Sequence, residues 1–147
     1  MTDIERLDAA IEYAWREWHK DIDVSEYANS DIHLAVELAA TDQEYWDAVR
    51  KWAQENAEEL SQGLKALLFD ALVVDRPSGD RRPVREREHI RLRSIATALR
   101  DLYGFRPTRN ASTDDECAAS IFARLEIEGR KGKPMSERSF ERILKGI

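Results

Sequence analysis

Apolar side chains recur at intervals of three and four along most of this chain, the spacing of a helix that buries one face. Ile4, Leu7, Ile11, Trp15, Trp18 and Ile22 make the first such stripe, and Asp3, Glu5, Asp8, Glu12 and Glu17 fall mainly outside it. A helix over about residues 3–20 is predicted. Ser30 and Asp31 suit the cap of a second helix carrying Ile32, Ala35, Val36 and Ala39. Thr41 and Glu44 have capping-box spacing. They open a third helix with Tyr45, Trp46, Val49, Trp52 and Ala53, which either runs on or breaks near Gly63 before Leu64, Leu67, Leu68, Ala71 and Leu72.

The segment from Asp75 to Pro83 holds two prolines and a glycine, which oppose continued helix. Pro83 suits the first turn of a following helix. That helix takes its face from Val84, Ile95, Leu99 and Leu102, with Leu92, Ala96 and Tyr103 beside it. Gly104 and Pro107 end it. Thr113 and Glu116 repeat the capping-box spacing, and a helix from Thr113 to Glu128 carries Cys117, Ile121, Phe122 and Leu125. A polar loop from Gly129 to Pro134 leads to a last short helix capped by Ser136, with Phe140, Ile143 and Leu144 inward. No segment alternates as a strand would. The expected fold is all-α: a compact bundle of about five to six helices with a C-terminal helix–loop–helix.

Charge adds a division that the apolar pattern does not show. Residues 1–80 hold 7 Lys+Arg against 19 Asp+Glu, a net of −12, and residues 81–147 hold 16 against 10, a net of +6. The expected organisation is therefore an acidic helical part over 1–76, a loop or short linker at 77–83, and a basic helical part over 84–147, packed together as one domain. The four tryptophans, Trp15, Trp18, Trp46 and Trp52, all lie in the acidic part. At helical spacing they make a core, although Tyr45 and Trp46 cannot both point to the centre of one helix face.

Candidate chemistry is sparse. There is no glycine-rich phosphate loop, no dinucleotide fingerprint and no serine elbow. Glu86 and His89 have the Glu-x-x-His spacing of di-iron bundles, but the pair is single and sits among Arg85, Arg87 and Arg91, which oppose a cation. His33 and Glu37, one turn apart, read as a surface pair. Cys117 lies next to Asp114, Asp115 and Glu116, which disfavour a thiolate, so a buried structural thiol is expected. Nothing implies a catalytic residue, a metal or a cofactor. The lone cysteine forms no internal disulfide, and the start, MTDIERLDAA, lacks the basic and apolar segments of a secretory leader. The longest apolar-rich run, Leu64–Val74, is too short to span a bilayer. A cytoplasmic, non-enzymatic protein without membrane association is expected.

Two binding roles compete. Arg109, Arg130, Lys131, Lys133, Arg138 and Arg142 cluster around the C-terminal helix–loop–helix, with Arg106 and Lys145 nearby, and Arg138, Arg142 and Lys145 share one side of the last helix. The layout resembles a helix-turn-helix DNA reader over about 35 residues. Its loop, however, is longer than the turn of that motif and lacks the turn glycine. This points to a small nucleic-acid-associated regulatory protein holding phosphate backbone, with its acidic helices in dimerisation or partner contacts. The alternative is a non-catalytic interaction module, adaptor or inhibitor. Its acidic surface, Glu12, Glu17, Asp21 and Asp23 or Glu55, Glu58 and Glu59, would meet a basic protein.

Overall fold

A computed structural model describes residues 2–24, 32–63, 65–66, 76–77, 80–110, 112, 114–129 and 132–147. Among these the protein is all-α, with six helices: α1 Asp3–Trp18, α2 Ile32–Ala39, α3 Gln43–Glu55, α4 Arg82–Tyr103, α5 Ala118–Arg124 and α6 Glu137–Ile143. Close contacts divide the chain into two units, 1–20 with 88–147, and 21–87. The dividing line cuts α4 after Arg87.

In the first unit, α1 opens with a capping box that the apolar pattern does not reveal. The Thr2 hydroxyl accepts from the Glu5 N–H at 3.2 Å, and the Glu5 carboxylate accepts from the Thr2 N–H at 3.4 Å. The helix stops at Trp18, and Arg91 donates to the carbonyls of Trp18 (3.0 Å) and Lys20 (3.1 Å), which α1 leaves without helical donors.

The buried face of α1 is not centred on the apolar stripe. Ala10 and Ala14 are fully buried, whereas Ile4 is 73% exposed and Trp15 52%. At about 100° per residue the buried arc is turned roughly 80° from the middle of the stripe. The residues in the same core explain the rotation. Ala96 of α4 and Ala118 and Ala119 of α5 are also fully buried. Alanine against alanine lets helices approach more closely than leucine or tryptophan would. Larger residues fill the remainder: Leu92, Ile95, Leu99, Phe105, Ile121, Phe122, Phe140 and Leu144. The rings of Phe122 and Phe140 meet at 5.6 Å, tilted by 59°, and hold α5 to α6.

Helix α4 ends as expected, with Gly104 at φ +75°, a left-handed turn that costs glycine little. The start of α5 differs from the expected Thr113–Glu128 helix. Thr113 lies outside the described residues, and the true cap is Cys117, which is extended at φ −139°. The free N–H groups of Ala118 and Ala119 are taken by the carbonyls of Arg106 (2.8 Å) and Pro107 (3.0 Å), and that of Ser120 by the Cys117 sulfur at 3.4 Å. With those donors satisfied from a distant segment, residues 114–116 have no need to be helical. Cys117 is buried, in keeping with a structural thiol. The helix ends early as well, at Arg124. The chain then reverses. Met135 donates to the Ile127 carbonyl and Gly129 to that of Lys133, each at 2.8 Å, around an antiparallel bridge of Glu128 and Pro134. Ser136 then caps α6, its hydroxyl accepting from the Ser139 N–H at 3.3 Å.

In the second unit, among the described residues, Val24, Ala35, Ala39, Tyr45, Trp46 and Val49 form the core. Tyr45 and Trp46 are both buried, flanking Val49 rather than sharing the centre of the face. The expected caps Ser30 and Asp31 of α2 lie outside the described residues. Helix α3 begins one residue later than the Thr41–Glu44 box suggests. Its cap is Asp42, whose Oδ1 accepts from the N–H groups of Glu44 (3.0 Å) and Tyr45 (3.1 Å). It ends at Glu55, well before Gly63.

Candidate nucleic-acid interface

The two units cut across the charge division of the sequence. Residues 1–20 and 88–147 hold 15 Lys+Arg against 14 Asp+Glu, a net of +1, while residues 21–87 hold 8 against 15, a net of −7. The basic C-terminal end shares its unit with α1, which brings five carboxylates into it. What remains available to an anion is decided residue by residue.

Many arginines have partners. In the second unit the Arg87 guanidinium donates to Asp42 Oδ2 at 2.7 Å and to the Glu44 carboxylate. Arg81 reaches Glu44 at 3.7 Å, and Arg76 holds both oxygens of Asp47 at 2.9 Å. Burial is the largest single influence and works against the Arg87 charge, but the hydrogen bonds and charges of Asp42 and Glu44 together outweigh it and the guanidinium pKa is raised. Two of these cations come from beyond residue 80 and fold onto carboxylates from before it, the reverse of segregation.

The first unit uses its arginines in another way. Arg109, one of the predicted contacts, donates through Nε to both oxygens of Glu137 (3.0 and 3.2 Å) and through Nη1 to the carbonyls of Asp114 (2.9 Å) and Asp115 (3.1 Å). It fastens the loop before α5 to the first turn of α6, and the Glu137 hydrogen bond raises its pKa. Arg93 donates to the carbonyls of Ile143 and Lys145, both at 3.0 Å, and so ends α6 as Arg91 ends α1. Glu116 accepts from the Ser120 hydroxyl at 2.6 Å and pairs with Arg124. The Ser120 hydrogen bond is the main cause of its pKa being lowered.

The described cations at the C-terminal end stay open. Arg138 and Arg142 on α6 and Lys145 just beyond it are exposed, and among the described residues none has a carboxylate partner. At about 100° per residue the three lie within roughly 60° of one another, opposite buried Phe140 and Leu144. Glu141 stands beside them and Glu137 is turned to Arg109. Lys133 is exposed on the reversal, while Arg130 and Lys131 lie outside the described residues. Arg106, named in the sequence cluster but not among its predicted contacts, is exposed too. With Arg109, Lys145, Thr108 and Asn110 it lines an open cleft of about 470 Å³ next to α6. Its role depends on a fold-back between residues 106 and 145 that no local spacing records.

The four predicted acidic contacts do not form one set. Glu12 is exposed on α1, and Glu17 is paired with Lys20 at 2.9 Å. Asp21 and Asp23 belong to the other unit, where they line a cleft of about 370 Å³ with Glu44, Asp47, Trp52 and Glu55. Among the described residues no helix is long and apolar enough to cross a membrane, and no three His, Cys, Asp or Glu side chains gather as metal ligands. Compared with known proteins, the chain matches no family model, no curated protein and no solved structure.

Proposed function

We propose that this is a small nucleic-acid-associated regulatory protein that holds phosphate backbone through its C-terminal basic face and performs no catalysis. The observation that carries the reading is the exposed, unpaired set Arg138, Arg142 and Lys145 on one arc of α6 and its end. The opposite arc is anchored by Phe140 and Leu144, and Arg93 and Arg109 steady the two ends of the helix. The side chains of the face are thus free to meet phosphates while their backbone is held. The unit that bears them is nearly neutral and the whole chain is at −6, so attraction is local and short-ranged. Arg109 serves the fold on this reading. Recognition of base sequence plays no part, since the hairpin-like reversal between α5 and α6 is not a helix-turn-helix turn. The reading places the protein in the cytoplasm, as a monomer or a homodimer.

Filter binding to a duplex of mixed sequence at low salt tests it. Three phosphate contacts predict a slope of log K against log salt of about −2.7. The triple variant Arg138→Glu/Arg142→Glu/Lys145→Glu should abolish binding without changing the helical circular dichroism. Absence of binding by the unaltered protein at low salt removes the proposal.

A further inference from the structure

The rotation of α1 leaves an apolar strip uncovered. Ile4 and Trp15 are exposed and Ile11 between them is half-buried, a line of about 16 Å along three turns. The indole of Trp15 stacks on His19 with ring centroids at 4.4 Å, which holds it flat on the surface. At its start the strip opens into a cleft of about 630 Å³, where Leu7 and Phe105 line the wall beside Ile4. The Arg6 guanidinium, which also lines this cleft, lies over the Phe105 ring at 4.8 Å from its centroid. Asp8 and Glu12 follow the outer edge of the strip, exposed and without an ion-pair partner among the described residues.

We infer that the Ile4–Ile11–Trp15 strip is a docking surface for a basic amphipathic helix of a partner protein. Apolar positions one turn apart on such a helix match Ile4, Ile11 and Trp15, and its flanking lysines or arginines meet Asp8 and Glu12. Charge decides against a second copy of this chain. An antiparallel two-fold contact through the strip sets Asp8 and Glu12 against Asp8 and Glu12, and a parallel one leaves both acidic edges without a cation. The basic face of α6 offers no exposed apolar side chain to cover Trp15, since Phe140 and Leu144 are buried. The inference does not depend on nucleic-acid binding, which uses the other end of the chain.

The test is nuclear magnetic resonance of the full chain, with the Trp15 indole signal identified by its loss in Trp15→Phe. The probe is a synthetic helical peptide of about four turns with leucine on one face and lysine on the other. A second peptide carries glutamate in place of lysine. The lysine peptide should shift the Trp15 indole signal saturably, and the glutamate peptide should not. Asp8→Lys/Glu12→Lys and, separately, Trp15→Ala should each weaken lysine-peptide binding about tenfold. All three changed positions are exposed, so circular dichroism should be unaltered, and the wild-type signal gives the answer even if one variant misfolds. An unmoved indole signal at saturating peptide, or equal binding of both peptides, overturns the inference. So does sedimentation showing a dimer that Trp15→Ala separates, because the strip then belongs to a second copy.

Discussion

The two compact units hold themselves together by different means. The first buries an apolar core in which three phenylalanines and several leucines and isoleucines pack around buried alanines. Three of its arginines, Arg91, Arg93 and Arg109, bind main-chain carbonyls. The second, among the described residues, gathers Val24, Ala35, Ala39, Tyr45, Trp46 and Val49 in its core, and it carries a net charge of −7. There the arginines bind carboxylates at the start of α3. Where carboxylates gather at the start of a helix, arginines offset their charge; where helix ends leave carbonyls without donors, arginines hold the backbone.

The largest effect should come from Phe122→Ala. The side chain is fully buried against Phe140, and its removal should cost about 3–5 kcal/mol in denaturant unfolding, with little dependence on salt. Asp42→Ala should cost somewhat less, about 2–4 kcal/mol, because the cap of α3 and a partner of half-buried Arg87 go together. A larger loss in Asp42→Ala than in Phe122→Ala would reverse the comparison.

The smallest effect concerns the one clear carboxylate shift in the first unit. Glu116 has a folded pKa below its unfolded one, so its contribution to stability is complete above the ordinary glutamate value. That contribution is lost as pH falls through the lowered folded value. Ser120→Ala removes the main cause. The Glu116 carboxyl should then titrate at higher pH by carbon-13 resonance, and the acid dependence of unfolding should flatten. An unchanged titration would show that Arg124 alone sets the shift.

Much of the fold was legible because local rules governed it. Gly104 ends α4 by its left-handed backbone, Pro83 sits in that helix's first turn, and Ser136 caps α6, all as their spacing predicts. The start of α5 was not legible, because its caps are carbonyls of Arg106 and Pro107, supplied by a segment about a dozen residues earlier. The face of α1 was misread for a related reason. Hydrophobicity marks Trp15 as inward, but α1 buries Ala10 and Ala14 in a core shared with Ala118 and Ala119 of α5, the helix it packs against. In the candidate interface, Arg138 and Arg142 are where their i,i+4 spacing places them, on the side of α6 away from Phe140. Arg109 is not free as its neighbours suggested, since Glu137 lies 28 positions away in sequence and only the folded chain brings them together.

Arg91 and Arg93 stand two positions apart on α4, so at about 200° around the helix they leave from nearly opposite sides. One grips the last carbonyls of α1, the other those of α6. The helix thereby acts as a yoke. The distance from the apolar strip of α1 to the cationic arc of α6 is set by a single rigid rod and two forked side chains, not by the loops that join them. Each holds its two carbonyls through one nitrogen, Nη1, at the far end of the guanidinium; lysine at either position would keep the charge, but its shorter side chain would not carry the donor as far, and the helix end it held would come loose.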